Sequence, residues 1–303
     1  MKKQLLAATC LFLAGGGLFS CGTASSEAEK APRKEIGIQL YSVRELIGVF
    51  GQNQHDYNDV LKQLAAMGYT SIEAASYADG KLYGQTPEQF RKDVEAAGLE
   101  VLSSHCTTDL SDEELAKGDF SRALAWWDAC IAAHKAAGME YIVAPSMRGI
   151  DNLKDLQTYC DYFNEVGARC NAAGLKFGYH NHSGEFRRIE DQVVYDYMIE
   201  HTDADKVFFE MDVYWAMMGQ ASPVDYFNKY PGRFRLLHIK DRREIGQSGM
   251  VGYDAIFRNA ATAGVENIIV EIEESSYGDM LRSVGECIDY LRGASFVKES
   301  YKH

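Results

Sequence analysis

From residue 35 onward, short apolar runs alternate with longer amphipathic stretches. Runs of strand character lie near Ile36–Leu40, Ser71–Ala74, Leu99–Ser103, Tyr141–Ala144, Lys176–Tyr179, Val207–Met211, Phe234–Ile239 and Ile268–Ile272. Brief apolar runs bounded by turn residues read as buried strands. Helical patterning follows each of them, near Asp56–Met67, Pro87–Ala97, Ser121–Ala137, Leu153–Ala173, Asp191–His201, Pro223–Tyr230, Tyr253–Ala263 and Met280–Leu291. Thr86-Pro87 and Ser222-Pro223 have the form of helix caps with proline in the first turn. Gly68, Gly98, Gly138, Gly174 and Gly264 each close an alanine-rich helical pattern just before an apolar run, the place for a left-handed cap. Eight alternations of strand and helix predict an α/β fold of the (β/α)8 TIM-barrel type, a single domain over 35–303. A doubly wound open sheet would bring a glycine-rich phosphate loop after the first strand. Ile38-Gln39-Leu40-Tyr41-Ser42-Val43 has none, which disfavours that fold and a nucleotide cofactor.

In the C-terminal half, the apolar runs end in residues that bind metals: His180-Asn181-His182, Asp212, His238-Ile239-Lys240-Asp241 and Glu271-Ile272-Glu273. A strand sends residues i and i+2 to one face. His180 with His182, His238 with Lys240, and Glu271 with Glu273 therefore form same-face pairs at strand ends. A barrel enzyme keeps its chemistry on this rim. Imidazole and carboxylate together describe a site for one divalent ion, with Mn, Zn, Co or Fe(II) favoured over Mg or Ca. Such an ion can hold adjacent carbonyl and hydroxyl oxygens of a sugar and stabilise the enediolate left when a carboxylate removes the α-proton. His105 and Glu73, ending strands three and two, are candidates to bind substrate hydroxyls, and Tyr41 and Trp215 to form a platform for a sugar ring. Trp126 and Trp127 fall on a helix and read as packing. His55, His134, His201 and His303 read as surface residues.

The first residues change the setting. Met1-Lys2-Lys3 is a basic start, Leu5 to Phe19 an apolar stretch too short to span a membrane, and Leu18-Phe19-Ser20-Cys21 follows. This resembles a bacterial lipoprotein signal over residues 1–20, with Cys21 as the lipid-bearing terminus and 21–34 as a flexible tether. The expected location is outside the cytoplasm, membrane-anchored by lipid alone, facing periplasm or cell surface. The net charge is −13, and removal of Lys2 and Lys3 with the signal takes it to −15. Such a surface repels phosphodiester backbones, so nucleic acid is not an expected partner. Cys106, Cys130, Cys160, Cys170 and Cys287 form no Cys-x-x-Cys pair and read as buried small apolar residues.

Taken together, Ile36-Gly-Ile-Gln-Leu-Tyr41-Ser, Tyr179-His-Asn-His182-Ser-Gly-Glu185-Phe, Phe209-Glu-Met-Asp212-Val-Tyr-Trp215, Leu237-His238-Ile-Lys240-Asp241 and Ile269-Val-Glu271-Ile-Glu273 resemble the xylose-isomerase-like sugar phosphate isomerase/epimerase family across Glu35 to Leu291. That family holds its metal with a Glu on strand five, an Asp on strand six, a His on strand seven and a Glu on strand eight. The resemblance implies Asp212, His238 and Glu271 as ligands, with His180 at the strand-five position, as in a subgroup with a Tyr-His-Asn-His signature. The family's strand-five Glu is also its base, so proton transfer here passes to Glu271, Glu273, His182 or Glu185, or the reaction differs. His182 is also a candidate to orient a ligand. Lys240 either stabilises an oxyanion or pairs with Asp241 or Glu273.

The reading is a metal-dependent isomerase or epimerase of a free sugar or sugar derivative, with Mn as the first choice of metal. The alternative is a lyase or hydratase of keto-glycosides using the same proton abstraction. A non-catalytic surface sugar-binding lipoprotein is the rival of another class. Phosphodiester cleavage, known on this barrel, is opposed by the acidity and the export signal. The sequence leaves homo-oligomerisation open.

Overall fold

The computed structural model describes residues 33–48 and 57–302. The signal, Cys21, most of the tether, His55 and His303 lie outside the described residues. Eight parallel strands form the sheet: β1 (Gly37–Gln39), β2 (Ser71–Ala74), β3 (Glu100–Ser104), β4 (Tyr141–Ala144), β5 (Lys176–His180), β6 (Val207–Asp212), β7 (Phe234–Ile239) and β8 (Asn267–Val270). Each strand pairs with its neighbours in chain order, and β8 returns to β1. Between β3 and β4 the ring closes through the His105–Val143 bridge and the Cys106 N–H to Val143 O bond of 3.0 Å. The expected single-domain barrel is what the described residues form. Arg33 and Lys34, placed in the tether by sequence, are bonded to it, Arg33 to Tyr69 O and Lys34 to Leu291 O and Ala294 O.

Helices cover the outside: α1 (Tyr57–Met67), α2 (Pro87–Ala96), α3 (Ser121–Ala136), α4 (Leu153–Ala173), α5 (Val194–His201), α6 (Pro223–Lys229), α7 (Tyr253–Arg258) and α8 (Met280–Gly293). Thr86 accepts from Gln89 N–H and Ser222 from Asp225 N–H, so both expected caps form. Gly174 ends α4 at φ 81°, a left-handed position that a side chain strains. The helix expected over Tyr253–Ala263 is instead broken at Asn259. The Asn259 amide donates to Ala255 O at 2.8 Å, and such side-chain bonds compete with the helical ladder. The α4 backbone runs so close to the entry of β6 that a Cβ on Gly167 would lie 2.3 Å from Lys206 O.

Inside the ring, polarity is layered. Leu102, Tyr141, Val143, Phe208, Leu236 and Ile269 make a separate apolar cluster. The period-two rule then leads outward from it along three strands, through Phe208, Glu210 and Asp212, through Leu236, His238 and Lys240, and through Ile269, Glu271 and Glu273. Gly178 leaves room for the plug, since a Cβ there would come within 2.5 Å of the Phe208 ring.

Candidate metal centre and adjoining cavity

Strand ends bring the charged side chains into two tiers above the plug. The deeper tier joins Gln39, Glu73, His105, Glu210 and His238. Glu73, with no exposed surface, accepts from Gln39 Nε2 at 2.8 Å and lies 2.7 Å from His238 Nε2 and 3.0 Å from His105 Nε2. His105 Nε2 is also 2.7 Å from Glu210 Oε2, and His180 Nδ1 is 3.1 Å from the same oxygen. Burial alone would raise the Glu73 carboxyl, yet the His105 and His238 imidazoles hold it well below the usual carboxylate range. Glu210 goes the other way, raised by burial and by the Glu73 charge. Against the desolvation that would lower it, His105 is driven up to about 10 by the Glu73 and Glu210 carboxylates.

The upper tier is the set expected to hold a cation. One ligand atom from each of His180, Asp212, His238 and Glu271 falls within 4.8 Å of the others, and all four residues are buried. Asn181 ties β5 to β6 here, bonding with its side-chain amide to both Asp212 N–H and Asp212 O. Asp212 Oδ1 caps the short helix Val213–Met218 by accepting from Trp215 N–H at 2.7 Å, while Asp212 Oδ2 is buried without a partner. His238 Nδ1 is likewise buried without a hydrogen bond, 3.4 Å from Glu271 Oε2, while Nε2 faces Glu73. An imidazole anchored to a carboxylate through one nitrogen, with the other free beside buried carboxylates, is the arrangement metal-ligating histidines adopt. The donor set of two imidazoles and two carboxylates therefore fits a divalent transition ion. Burial pushes Asp212 up to about 7, and burial with the neighbouring imidazoles keeps His180 well below its ordinary value. His238 is raised by Glu210 and Glu73 although burial opposes this. A cation binding there must displace that proton.

Beside the cluster, Lys240 Nζ lies 3.0 Å from Glu271 Oε2 and 2.5 Å from Glu273 Oε1. The pairing raises the ammonium despite its burial. A cavity of about 440 Å³ opens over these groups, lined by Tyr41, Tyr77, His105, Thr107, Trp126, Ser146, His182, Glu271 and Glu273 among others. No Arg or Lys is among the described residues that line it. His182 is kept neutral, its imidazole lowered chiefly by burial.

Several expectations change. Glu73 is sealed under His105 and His238 and reaches no substrate; it orients imidazoles. Glu185 is committed on both oxygens, to His182 N–H at 2.8 Å and the Tyr179 hydroxyl at 2.8 Å, so it fixes the loop after β5 and is not free to act as a base. Trp215 does not line the cavity. Its ring stands behind His182, 5.7 Å away, and 5.6 Å from Lys240 Nζ. The aromatic walls are instead Tyr41, Tyr77 and Trp126, the last two edge-to-face at 5.5 Å. Trp127 is core, as expected. His134 is fully buried, not on the surface, while His201 is exposed. Glu210 was missed, although the i and i+2 relation to Asp212 that pairs other strand-end residues marks it.

Imidazoles and carboxylates thus converge on the carboxyl rim of a closed barrel, where barrel enzymes keep their chemistry. Residues 61–293 match the family described as Xylose isomerase-like TIM barrel, and the chain belongs to that family. The crystal structure of a sugar phosphate isomerase/epimerase from Parabacteroides distasonis ATCC 8503 superposes with a TM-score of 0.79 at 36% identity, covering 88% of this chain and 100% of that one. Inosose dehydratase of Geobacillus kaustophilus (strain HTA426) is 24% identical over 203 residues. That alignment takes in 63% of this chain, which spans 64% of the relative's length. L-ribulose 3-epimerase shares the fold, with a TM-score of 0.67 at 16% identity, over 86% of this chain and 93% of that one. The names borne by the relatives similar in sequence are thus sugar phosphate isomerase/epimerase and inosose dehydratase.

Proposed function

We propose that this chain is a divalent-metal-dependent enzyme that removes the proton beside the carbonyl of an uncharged sugar or sugar derivative, acting as an isomerase or epimerase. The observation that carries this reading is that two buried atoms of one four-residue ligand cluster, Asp212 Oδ2 and His238 Nδ1, make no hydrogen bond. His180, Asp212, His238 and Glu271 would hold the ion, with Mn as our first choice. Once bound, it supplies an electrophile for adjacent carbonyl and hydroxyl oxygens.

The chain's own residues supply the proton handling. Glu273 borders the cavity and keeps about a third of its side chain exposed (35%), so it can reach a substrate carbon without leaving the ligand cluster short. Lys240, held between Glu271 and Glu273, carries positive charge to where an enolate oxygen develops and can return a proton to it. His182, two positions past the end of β5, faces the cavity from another direction as a neutral imidazole, which gives epimerisation its second acid–base group. The charge of Lys240 is taken up by Glu271 and Glu273, and no unpaired Arg or Lys is among the described residues lining the cavity, which disfavours a phosphorylated substrate. Tyr41, Tyr77 and Trp126 suit the apolar face of a ring.

A second reading is elimination, in which the leaving group lies β to the same carbon. The match to inosose dehydratases favours it, and so does a site whose partly exposed carboxylate, Glu273, stands on one flank only. Metal-stripped protein reloaded with Mn and offered aldoses, ketoses, keto-cyclitols and 3-keto-glycosides in D2O separates the cases. An isomer deuterated at the α-carbon supports the first reading. Loss of water or aglycone without an isomer moves the assignment to the second. No exchange, no product and no bound metal sink both and leave a sugar-binding lipoprotein. We also propose export and lipid attachment at Cys21. Cys21→Ala should abolish palmitate labelling and membrane association, and unchanged labelling would end that idea.

A further inference from the structure

Behind the aromatic wall lies a group of side chains that the proposed chemistry does not use. Cys106 follows His105 at the end of β3, and its thiol borders the cavity at 8% exposure. Cys130 comes from α3, with its sulfur 3.3 Å from that of Cys106. One turn on, His134 is fully buried beneath the Tyr77 ring, with centroids 5.0 Å apart. His134 Nδ1 lies 2.7 Å from Cys130 O, which can only accept, so Nδ1 carries a proton. The neutral ring then offers its lone pair on Nε2, 3.7 Å from Cys106 Sγ. Among the described residues, no other two thiols touch.

We propose that Cys106 and Cys130 are a site of reversible oxidation, closing to a disulfide in the cavity wall when the protein meets a hydroperoxide. Cys106 passes its proton to His134 Nε2, and its sulfur attacks the peroxide. The O–O bond breaks, hydroxide leaves, and Cys106 becomes a sulfenic acid. The Cys130 sulfur then attacks Cys106, the S–O bond breaks, and the departing hydroxide takes the Cys130 proton as water. Two thiols lose two electrons, and hydrogen peroxide becomes two waters, the first hydroxide recovering its proton from His134. Disulfide sulfurs sit about 2 Å apart, so the 3.3 Å separation closes by roughly 1.3 Å. The cavity that admits substrate also admits the oxidant to Cys106. This inference is independent of the sugar chemistry proposed above.

The test treats the full chain with a small excess of hydrogen peroxide, alkylates the remaining thiols and maps peptides by mass. The expected result is a linked Cys106–Cys130 peptide pair, lighter by two hydrogens and separated by dithiothreitol, with Cys160, Cys170 and Cys287 alkylated. Cys130→Ser should stop Cys106 at a sulfenic acid that dimedone traps, and Cys106→Ser should leave Cys130 alkylated. Two free thiols, a Cys106 oxidised further beside free Cys130, or linkage to any other cysteine overturns the proposal. The wild-type map decides alone should a variant not fold.

Discussion

Asp212→Asn separates a carboxylate kept for a cation from one that merely stabilises the barrel. Asp212 has no exposed surface, and burial, aided by the Glu271 charge, pushes its carboxyl up to about 7 against the pull of Lys240 and His238. The same group in the unfolded chain titrates near 3.9. Between about pH 4 and pH 7 the folded protein therefore binds a proton that the unfolded chain has released, so this group's contribution to stability falls as pH rises. Roughly three units at about 1.36 kcal/mol each make the loss about 4 kcal/mol once pH 7 is passed. Asparagine does not titrate, and its Oδ1 can still cap Val213–Met218, since Asn caps as well as Asp. Its Nδ2 replaces an oxygen without a partner, at a cost of about 1–3 kcal/mol. Metal-free variant should be less stable than wild type at pH 4 by that cost. Relative to wild type it should gain about 4 kcal/mol by pH 8 and end the more stable of the two. Urea unfolding in EDTA, followed by tryptophan fluorescence across this range, reads the difference. Adding Mn at pH 8 should reverse the ranking, because a ligand of the folded state stabilises only the protein that binds it. A pH-independent difference, or equal stabilisation of both proteins by Mn, would refute the reasoning.

Lys240→Met should lower kcat by about 10²–10⁴-fold on whichever substrate the D2O screen identifies, while bound metal stays at the wild-type level; metal loss in parallel would make Lys240 a structural partner only. Trp126→Ala should raise KM by roughly threefold to tenfold with kcat preserved, the loss of one ring contact; an unchanged KM removes Trp126 from the substrate wall. Gly167→Ala should destabilise the barrel by about 1–3 kcal/mol in urea, since the new methyl meets Lys206 O. A neutral effect would mean that α4 is free to shift away from β6.

The barrel is legible because its cues are local: a capping glycine, then an apolar run, repeated around the ring. Those cues locate Ser71–Ala74, Tyr141–Ala144 and Phe234–Ile239 at the observed bounds. Asn259 shows where they fail, because a side chain bonding its own turn overrides a helical pattern. The cation cluster is legible for a related reason, in that period-two pairs at strand ends must share a face. What such spacing does not disclose is depth. Glu73 and Glu210 lie one tier below the cavity, and whether an inward carboxylate meets substrate or imidazole depends on contacts between strands far apart in sequence. Trp126 and His134 were misplaced for the same reason. They share one helix, and Tyr77, on the short hairpin after β2 in which Tyr77–Ala78 pairs with Lys81–Leu82, packs against both, leaving one bordering the cavity and the other sealed. Spacing marks Glu185 as a candidate base, but the Tyr179 hydroxyl and the His182 N–H occupy both its oxygens.

The layering inside the barrel divides labour between two kinds of structure. Each residue of the cation cluster stands on a strand or one position past it, braced by neighbours in the sheet. Tyr77, Thr107 and Ser146 stand on the connections beyond the strands, and Trp126 on a helix, where an exchange of side chain leaves the bracing untouched. A lineage can therefore acquire a new substrate by rewriting three or four loop positions while inheriting its reactive machinery intact. Relatives named sugar phosphate isomerase/epimerase and inosose dehydratase are the kind of record such a separation leaves.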